Sequence, residues 1–271
     1  MTREEIFTHI QKKQSYLCIG LDTDIQKIPA HLHKAADPVF EFNKQIIDAT
    51  ADVCIAYKPN TAFYEALGSR GWESLQKTME YIPATHFKIA DAKRGDIGNT
   101  SGLYAKAFFE QLHADAITVA PYMGKDSVTP FLAFKNKWVI LLALTSNPGS
   151  NDFQTQTLST QEMLYEKVIH VSTEWADASQ LMYVVGATQA SQFSHIRKLL
   201  PEHFLLVPGV GTQGGDLPLL SRYGMNKQCG LLVNASRAII YASGEKDFAA
   251  KAAAEARKIQ QEMGSCLEKY L

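Results

Sequence analysis

Trp138-Val-Ile-Leu-Leu-Ala-Leu144 is the longest uninterrupted apolar run in the chain, and Thr145-Ser146-Asn147-Pro148-Gly149 follows it at once. Seven apolar residues suit a strand buried on both faces and fall far short of the ~20 that a membrane helix needs. Seven shorter runs repeat the pattern, at 16–21, 53–57, 86–90, 116–120, 181–185, 204–207 and 230–233. Each gives way to turn residues and then to a helical pattern. The runs start on average about 31 residues apart, close to the length of one strand–helix unit. Nearly continuous apolar strands alternating with helices predict a parallel sheet covered by helices. Eight strands are also the number that closes a (βα)8 barrel. An open doubly wound sheet is the competing arrangement.

The intervening segments support this reading. Phe248, Ala252, Ala256, Ile259 and Met263 fall at steps of three and four, which predicts one apolar stripe on a helix over 246–263. Segments 189–200 and 99–112 behave similarly, with Pro201 ending the first. Ile6, Phe7 and Ile10 share one side of 1–14, an extra helix ahead of the barrel. No linker, repeat or low-complexity stretch divides the chain. The 271 residues are therefore expected to form one domain.

Composition narrows the function. Apolar residues make up 46% and charged residues 20%, and 27 Lys+Arg against 28 Asp+Glu give a net charge of −1. That balance argues against disorder and against a polybasic surface for nucleic acid or membranes. The first fourteen residues carry Arg3, Glu4, Glu5, Lys12 and Lys13 and no apolar signal core, so a cytoplasmic location is expected. Cys18, Cys54, Cys229 and Cys266 are too far apart for a CxxC pair and read as buried, reduced thiols. The histidines form no HExxH, and no structural metal site is expected.

In a barrel, chemistry belongs at the carboxyl ends of the strands. Asp22 ends the first run, Lys58 the second, and Thr145 with Ser146 the fifth. The third run leads into Asp91, Lys93 and Asp96, the seventh into Pro208-Gly209-Val210-Gly211, and the eighth into Ser236-Arg237. Strand side chains repeat every two residues, so Asp91 and Lys93 share a face that points into the barrel mouth. Lys58 adds a second ammonium on the neighbouring strand. Arg94 reads as a structural ion-pair partner.

Glycines at 209, 211, 214 and 215 lie after the seventh strand, where barrels commonly bind phosphate. Gln213 offers an amide donor and Arg237 a planar fork for phosphate oxygens. Residues 209–214 also spell GxGxxG, but no Asp or Glu occurs from 217 to 241 to hold a nicotinamide ribose. The polar stretch 149–159 is a candidate lid over the ligand.

Asp91-Ala-Lys93-Arg94-Gly95-Asp96-Ile97 closely resembles the core motif of the orotidine 5′-phosphate decarboxylases, in particular their longer bacterial subgroup, type 2. Four further motifs match in order: Gly20-Leu21-Asp22, Lys58-Pro59-Asn60, Thr145-Ser146-Asn147-Pro148-Gly149, and the Pro208 glycine loop with Ser236-Arg237-Ala238-Ile239. The chain departs from the pattern at Thr212, often alanine, and at Ala235, often serine.

The resemblance implies a cofactor- and metal-independent conversion of orotidine 5′-phosphate to uridine 5′-phosphate (UMP). Lys93 corresponds to the proton donor, and Lys58, Asp91 and Asp96 complete its charged tetrad. Asp22 corresponds to a ribose-hydroxyl ligand and Ser146 to the pyrimidine contact. Pro208, Gln213, Ser236 and Arg237 fall at the phosphate end. Asp96, Ile97 and Thr100 would reach into a partner's site, which implies a homodimer. Two alternatives remain open: a sister barrel acting on sugar phosphates through a Mg²⁺-stabilised enediolate, and an inactive nucleotide-binding protein.

Overall fold

In the computed structural model, which describes residues 1–186, 190–209 and 216–271, eight parallel strands close on themselves in chain order. They are β1 Leu17–Leu21, β2 Ala56–Pro59, β3 Phe87–Arg94, β4 Ala116–Val119, β5 Trp138–Leu144, β6 Leu181–Val185, β7 Leu205–Pro208 and β8 Leu231–Ala235. The eighth pairs back onto β1, with Leu17 opposite Val233. Each expected run overlaps one strand. Every residue of β1, β2, β4, β6 and β8 is buried, because side chains fill the barrel on one face and meet helices on the other.

The helices are α1 Arg3–Lys13, α2 Pro38–Thr50, α3 Thr61–Glu65, α4 Ser69–Tyr81, α5 Gly98–Lys106, α6 Lys125–Leu132, α7 Ser150–Phe153, α8 Leu164–Ser172, α9 Ala190–Leu199, α10 Leu217–Gly224, α11 Arg237–Ile240 and α12 Phe248–Tyr270. Three buried tyrosines, Tyr57 and Tyr183 on strands and Tyr16 immediately before β1, help to register helices on the barrel. Tyr16 bonds Ser221 of α10 at 2.5 Å, Tyr57 bonds Thr50 of α2 at 2.8 Å, and Tyr183 bonds Ser172 of α8 at 2.8 Å. A buried phenol must keep a partner or lose on the order of 1–3 kcal/mol. These pairs therefore select one docking position for each helix.

The amino-terminal helix forms as expected. Thr2 and Glu5 make a capping box, and Ile6 and Ile10 are buried. The indole N–H of Trp138, at the start of β5, donates to the Met1 carbonyl at 2.8 Å. The α1 segment therefore docks at the amino-terminal end of the strands, away from the expected site. Phe248, Ala252, Ala256 and Met263 are buried along α12, as their spacing predicts. All four cysteines are buried and unpaired.

One local reading changes, and two gain detail. Segment 99–112 is not one α-helix: after α5 the backbone widens into a π-helical turn over Ala107–Gln111, a distortion that inserts one residue into the helical ladder. Stretch 149–159 contains α7, and the Gln154 side chain accepts from the Thr145 backbone N–H at 2.7 Å, so part of it is folded against the end of β5. The third strand also runs on past its apolar portion to Arg94, with Arg94 opposite Val119. Backbone pairing, not side-chain polarity, sets where a strand ends.

Candidate active site

The closed barrel brings Asp22, Lys58, Asp91, Lys93, Ser146, Pro208, Ser236 and Arg237 to the carboxyl ends of their strands. Four of them form a continuous chain of charge. Lys58 Nζ stands 3.8 Å from Asp22 Oδ1 and donates to Asp91 Oδ2 at 2.7 Å. Lys93 Nζ donates to the other Asp91 oxygen, Oδ1, at 2.6 Å. The order is carboxylate, ammonium, carboxylate, ammonium, so each charge sits beside its opposite.

The inner part of this chain is withdrawn from water. The side chains of Lys58 and Asp91 are 6% and 9% exposed, whereas that of Lys93 is 49% exposed. Burial alone would raise the Asp91 pKa, but the Lys58 and Lys93 ammoniums outweigh it and hold the carboxyl well below the usual range. Burial alone would lower the Lys58 pKa, but Asp91 and Asp22 outweigh it and raise it above that of an ordinary lysine. Both groups are therefore fixed as ions at neutral pH. Lys93 presents its ammonium to the open mouth.

The backbone that delivers Lys93 is irregular. Ala90 pairs with Ile117 and Arg94 with Val119. Asp91, Ala92 and Lys93 therefore lie opposite the single residue Thr118, a bulge that re-aims side chains. Lys93 itself is left-handed, with φ 46°, which is unfavourable for a residue with a Cβ. Regular strand alternation explains why both charges face the mouth only as far as Asp91. Beyond it the bulge turns Lys93 back onto Asp91.

Thr118 is the residue that the sequence reading missed. Its buried hydroxyl donates to Asp91 Oδ1 at 3.0 Å and accepts from the Lys93 backbone N–H at 2.9 Å. Within its run, Thr118 is the lone hydroxyl among apolar neighbours, a signal that could have marked it. Tyr241 was missed as well: its hydroxyl donates to the Asp22 carbonyl at 3.0 Å and accepts from the Asp24 N–H at 2.7 Å, fixing the turn that carries Asp22.

Arg94 turns away from the charged chain. It bonds Glu65 of α3, and its guanidinium lies 5.4 Å from the Phe108 ring centroid, in keeping with a structural partner. Asp96 does not join Lys58, Asp91 and Lys93 within one chain. Its Oδ1 accepts from the Ile97 N–H at 2.7 Å, and its carbonyl accepts from Ser101 Oγ at 2.6 Å. Ile97 is 57% exposed, and Thr100 is exposed beside it at the start of α5.

On the opposite side of the mouth, Pro208 ends β7 and Gly209 follows with φ 93°, a conformation that suits glycine. Its N–H donates to the Asn234 carbonyl at 3.3 Å. Ser236 follows β8, and Arg237 opens α11 with its side chain exposed. Gly20 packs under this turn, where a Cβ would stand 1.8 Å from Ser236 Oγ. Gln213 and the glycines at 211, 214 and 215 lie outside the described residues. Ser146 lies against Gly186, where a Cβ would come within 2.5 Å of the Ser146 nitrogen.

A closed (βα)8 barrel with alternating ammonium and carboxylate groups at its catalytic end is the architecture of a barrel enzyme. A sequence model of the orotidine 5′-phosphate decarboxylase / HUMPS family matches residues 15–253. The orotidine 5′-phosphate decarboxylase of Phocaeicola vulgatus is 60% identical over 266 residues, covering 97% of this chain and 98% of that one. Its counterpart from Bacteroides fragilis is 58% identical over 274 residues, covering both chains fully. The solved structure of Leishmania donovani OMP decarboxylase superimposes with a TM-score of 0.84 at 34% identity, covering 98% of each chain. The chain belongs to the orotidine 5′-phosphate decarboxylase / HUMPS family and is a carboxy-lyase. Among the described residues, no helix is long and apolar enough to cross a membrane.

Proposed function

We propose that this protein decarboxylates orotidine 5′-phosphate to UMP, in pyrimidine biosynthesis, using its own charged residues rather than a metal or cofactor. The observation that carries the reading is the Asp22–Lys58–Asp91–Lys93 chain at the barrel mouth. Breaking the bond from C6 to the carboxylate releases CO2 and leaves the electron pair in the ring plane, where the π system cannot spread it. A fixed ammonium directed at C6 stabilises that charge as it develops and then transfers a proton to it. Lys93 is the group for both steps, because it is the open end of the chain while Lys58 is buried. The proton moves from Lys93 Nζ to C6, and solvent reprotonates the amine.

Asp91 holds both lysines, and its fixed negative charge faces the substrate carboxylate before CO2 leaves. Asp22 and Lys58 take the ribose hydroxyls, Ser146 the pyrimidine, and Pro208, Gln213, Ser236 and Arg237 the phosphate end. Residues 1–271 act as one catalytic domain, working in the cytoplasm. The functional unit is a homodimer in which Asp96, Ile97 and Thr100 complete the site of the partner. Exposed apolar side chains on and near α5 and in the loop before α6, Ile97, Leu103, Tyr122 and Met123, support that association.

The test is a spectrophotometric assay with orotidine 5′-phosphate, with and without EDTA. Turnover unchanged by EDTA supports the reading. Loss of turnover with the chelator would favour metal-dependent chemistry, and no turnover in either arm would leave a nucleotide-binding protein.

A further inference from the structure

We propose that Thr118 is a positioning residue for the proton donor: its hydroxyl fixes the bulged backbone at Lys93 and the rotamer of Asp91, and so sets where the Lys93 ammonium stands. The inference rests on Lys93 being that donor.

The argument starts from backbone pairing. Where a regular parallel ladder would continue from Ala90 and Ile117, β3 inserts Asp91, Ala92 and Lys93 opposite Thr118 alone. The Lys93 N–H turns to the Thr118 hydroxyl at 2.9 Å instead of to a β4 carbonyl. The ladder resumes beyond the bulge, where the Ala120 N–H donates to the Arg94 carbonyl at 2.9 Å. A hydroxyl has one proton to donate and lone pairs to accept with. Thr118 uses both, donating to Asp91 Oδ1 at 3.0 Å while accepting from Lys93.

The consequence for Lys93 is specific. A non-glycine residue at φ 46° persists only where its surroundings over-determine it. Two restraints meet there: the Thr118 bond to its N–H and the 2.6 Å bond from its Nζ to Asp91. Asp91 Oδ1 is the shared atom, accepting from Thr118 and Lys93 together. Lys58 holds the other oxygen at 2.7 Å, so the carboxylate has a defined plane. Thr118 is 1% exposed and is not itself presented to a ligand. It acts through Lys93 and Asp91.

The test compares Thr118→Val, close in shape but without the hydroxyl, with Thr118→Ser, which keeps it. The readouts are kcat, KM for orotidine 5′-phosphate, equilibrium UMP binding and the melting temperature. We expect Thr118→Val to lower kcat by about 10- to 100-fold, the scale for losing a hydrogen bond to a charged group. KM and UMP binding should stay within about threefold, and Thr118→Ser should keep kcat within about threefold of the wild type. A Thr118→Val kcat within about twofold of the wild type would overturn the proposal, as would a serine variant as impaired as the valine one. If the valine variant does not fold, Thr118→Ala is read against Thr118→Ser, where equal kcat values overturn the proposal and a serine advantage of about tenfold supports it. A wild-type protein inactive on this substrate would overturn the parent reading of Lys93 instead. An active wild type with indifferent Thr118 variants would overturn only the role of Thr118.

Discussion

Lys93 donates to Asp91 across 2.6 Å from a left-handed backbone, while Lys58 holds the other oxygen of the same carboxylate. The two lysines thus share one counter-ion and differ in access to the mouth. Lys58 is buried, and Lys93 is half exposed.

That difference predicts separable effects on binding and turnover. Lys93→Ala should remove nearly all decarboxylation, on the order of 10³-fold or more in kcat, because the proposed proton donor and its fixed charge are lost together. UMP binding should persist, since Ser146, Ser236 and Arg237 remain. Steady-state assays combined with calorimetric titration of UMP check both halves. Substantial residual turnover would remove Lys93 from its role.

Asp96 stands apart from the charged groups within one chain and, in the proposed homodimer, would complete the partner's site. Lys93→Ala and Asp96→Asn proteins, each inactive alone, should regain activity when mixed under conditions that allow subunit exchange. Random pairing makes half the dimers mixed, each with one intact site of two. The plateau is therefore about one quarter of wild-type activity. A mixture as inactive as its components would argue against shared sites.

Two buried histidines predict acid sensitivity. Burial first, and then the Lys13 ammonium 2.8 Å from Nε2, lowers the His86 pKa to about 4. Burial, followed by the Arg197 guanidinium, lowers that of His203 to about 4. In the unfolded chain each returns to about 6.5. Between pH 6.5 and 4 the unfolded state therefore binds protons that the folded state does not, and stability falls as the pH drops. The loss is on the order of 2–3 kcal/mol for each histidine by pH 4. His203 packs edge-on against Tyr183, with ring centroids 5.5 Å apart, a contact that phenylalanine can keep. His203→Phe should therefore shrink the difference between urea midpoints at pH 7 and pH 4.5. An unchanged difference would count against His203 as a source.

Gly186 predicts a steric effect on ligand recognition. An alanine Cβ there would lie 2.5 Å from the Ser146 nitrogen and 2.8 Å from its Cβ, too close for backbone to accommodate without moving. Gly186→Ala should displace the turn after β5, destabilising the protein by about 1–3 kcal/mol. KM for orotidine 5′-phosphate should rise by at least about tenfold if Ser146 contacts the base. Thermal melts and initial rates measure the two effects separately.

Much of the barrel was legible because burial leaves a local signature. Most of the β-strand residues are buried between the barrel interior and the helices and so read as apolar runs, and the helix α12 had to present an apolar stripe. Asp22 and Lys58 were legible as strand-end residues because each immediately follows such a run, and Arg237 because it lies four residues beyond the eighth. The limits of β3 were less legible, since its pairing with β4 continues through Asp91, Lys93 and Arg94 after the apolar pattern has ended. The π-helical turn after α5 changes the hydrogen-bond ladder without changing the residue pattern, and no spacing rule reveals it.

Residue order alone therefore determined the eight-strand count, the likeness to a decarboxylase family and the set of charged groups at one end of the barrel. Apolar periodicity and short motifs are properties of the chain itself, and elementary sterics convert them into strands and helices. Only the tertiary structure decided how those charges meet. It joined Lys58 to Asp91 across neighbouring strands, set three residues of β3 opposite Thr118, and turned Lys93 left-handed. It also left Asp96 apart from them within one chain. These outcomes depend on strand register and on hydrogen bonds between residues distant in sequence, which side-chain identity constrains but does not specify.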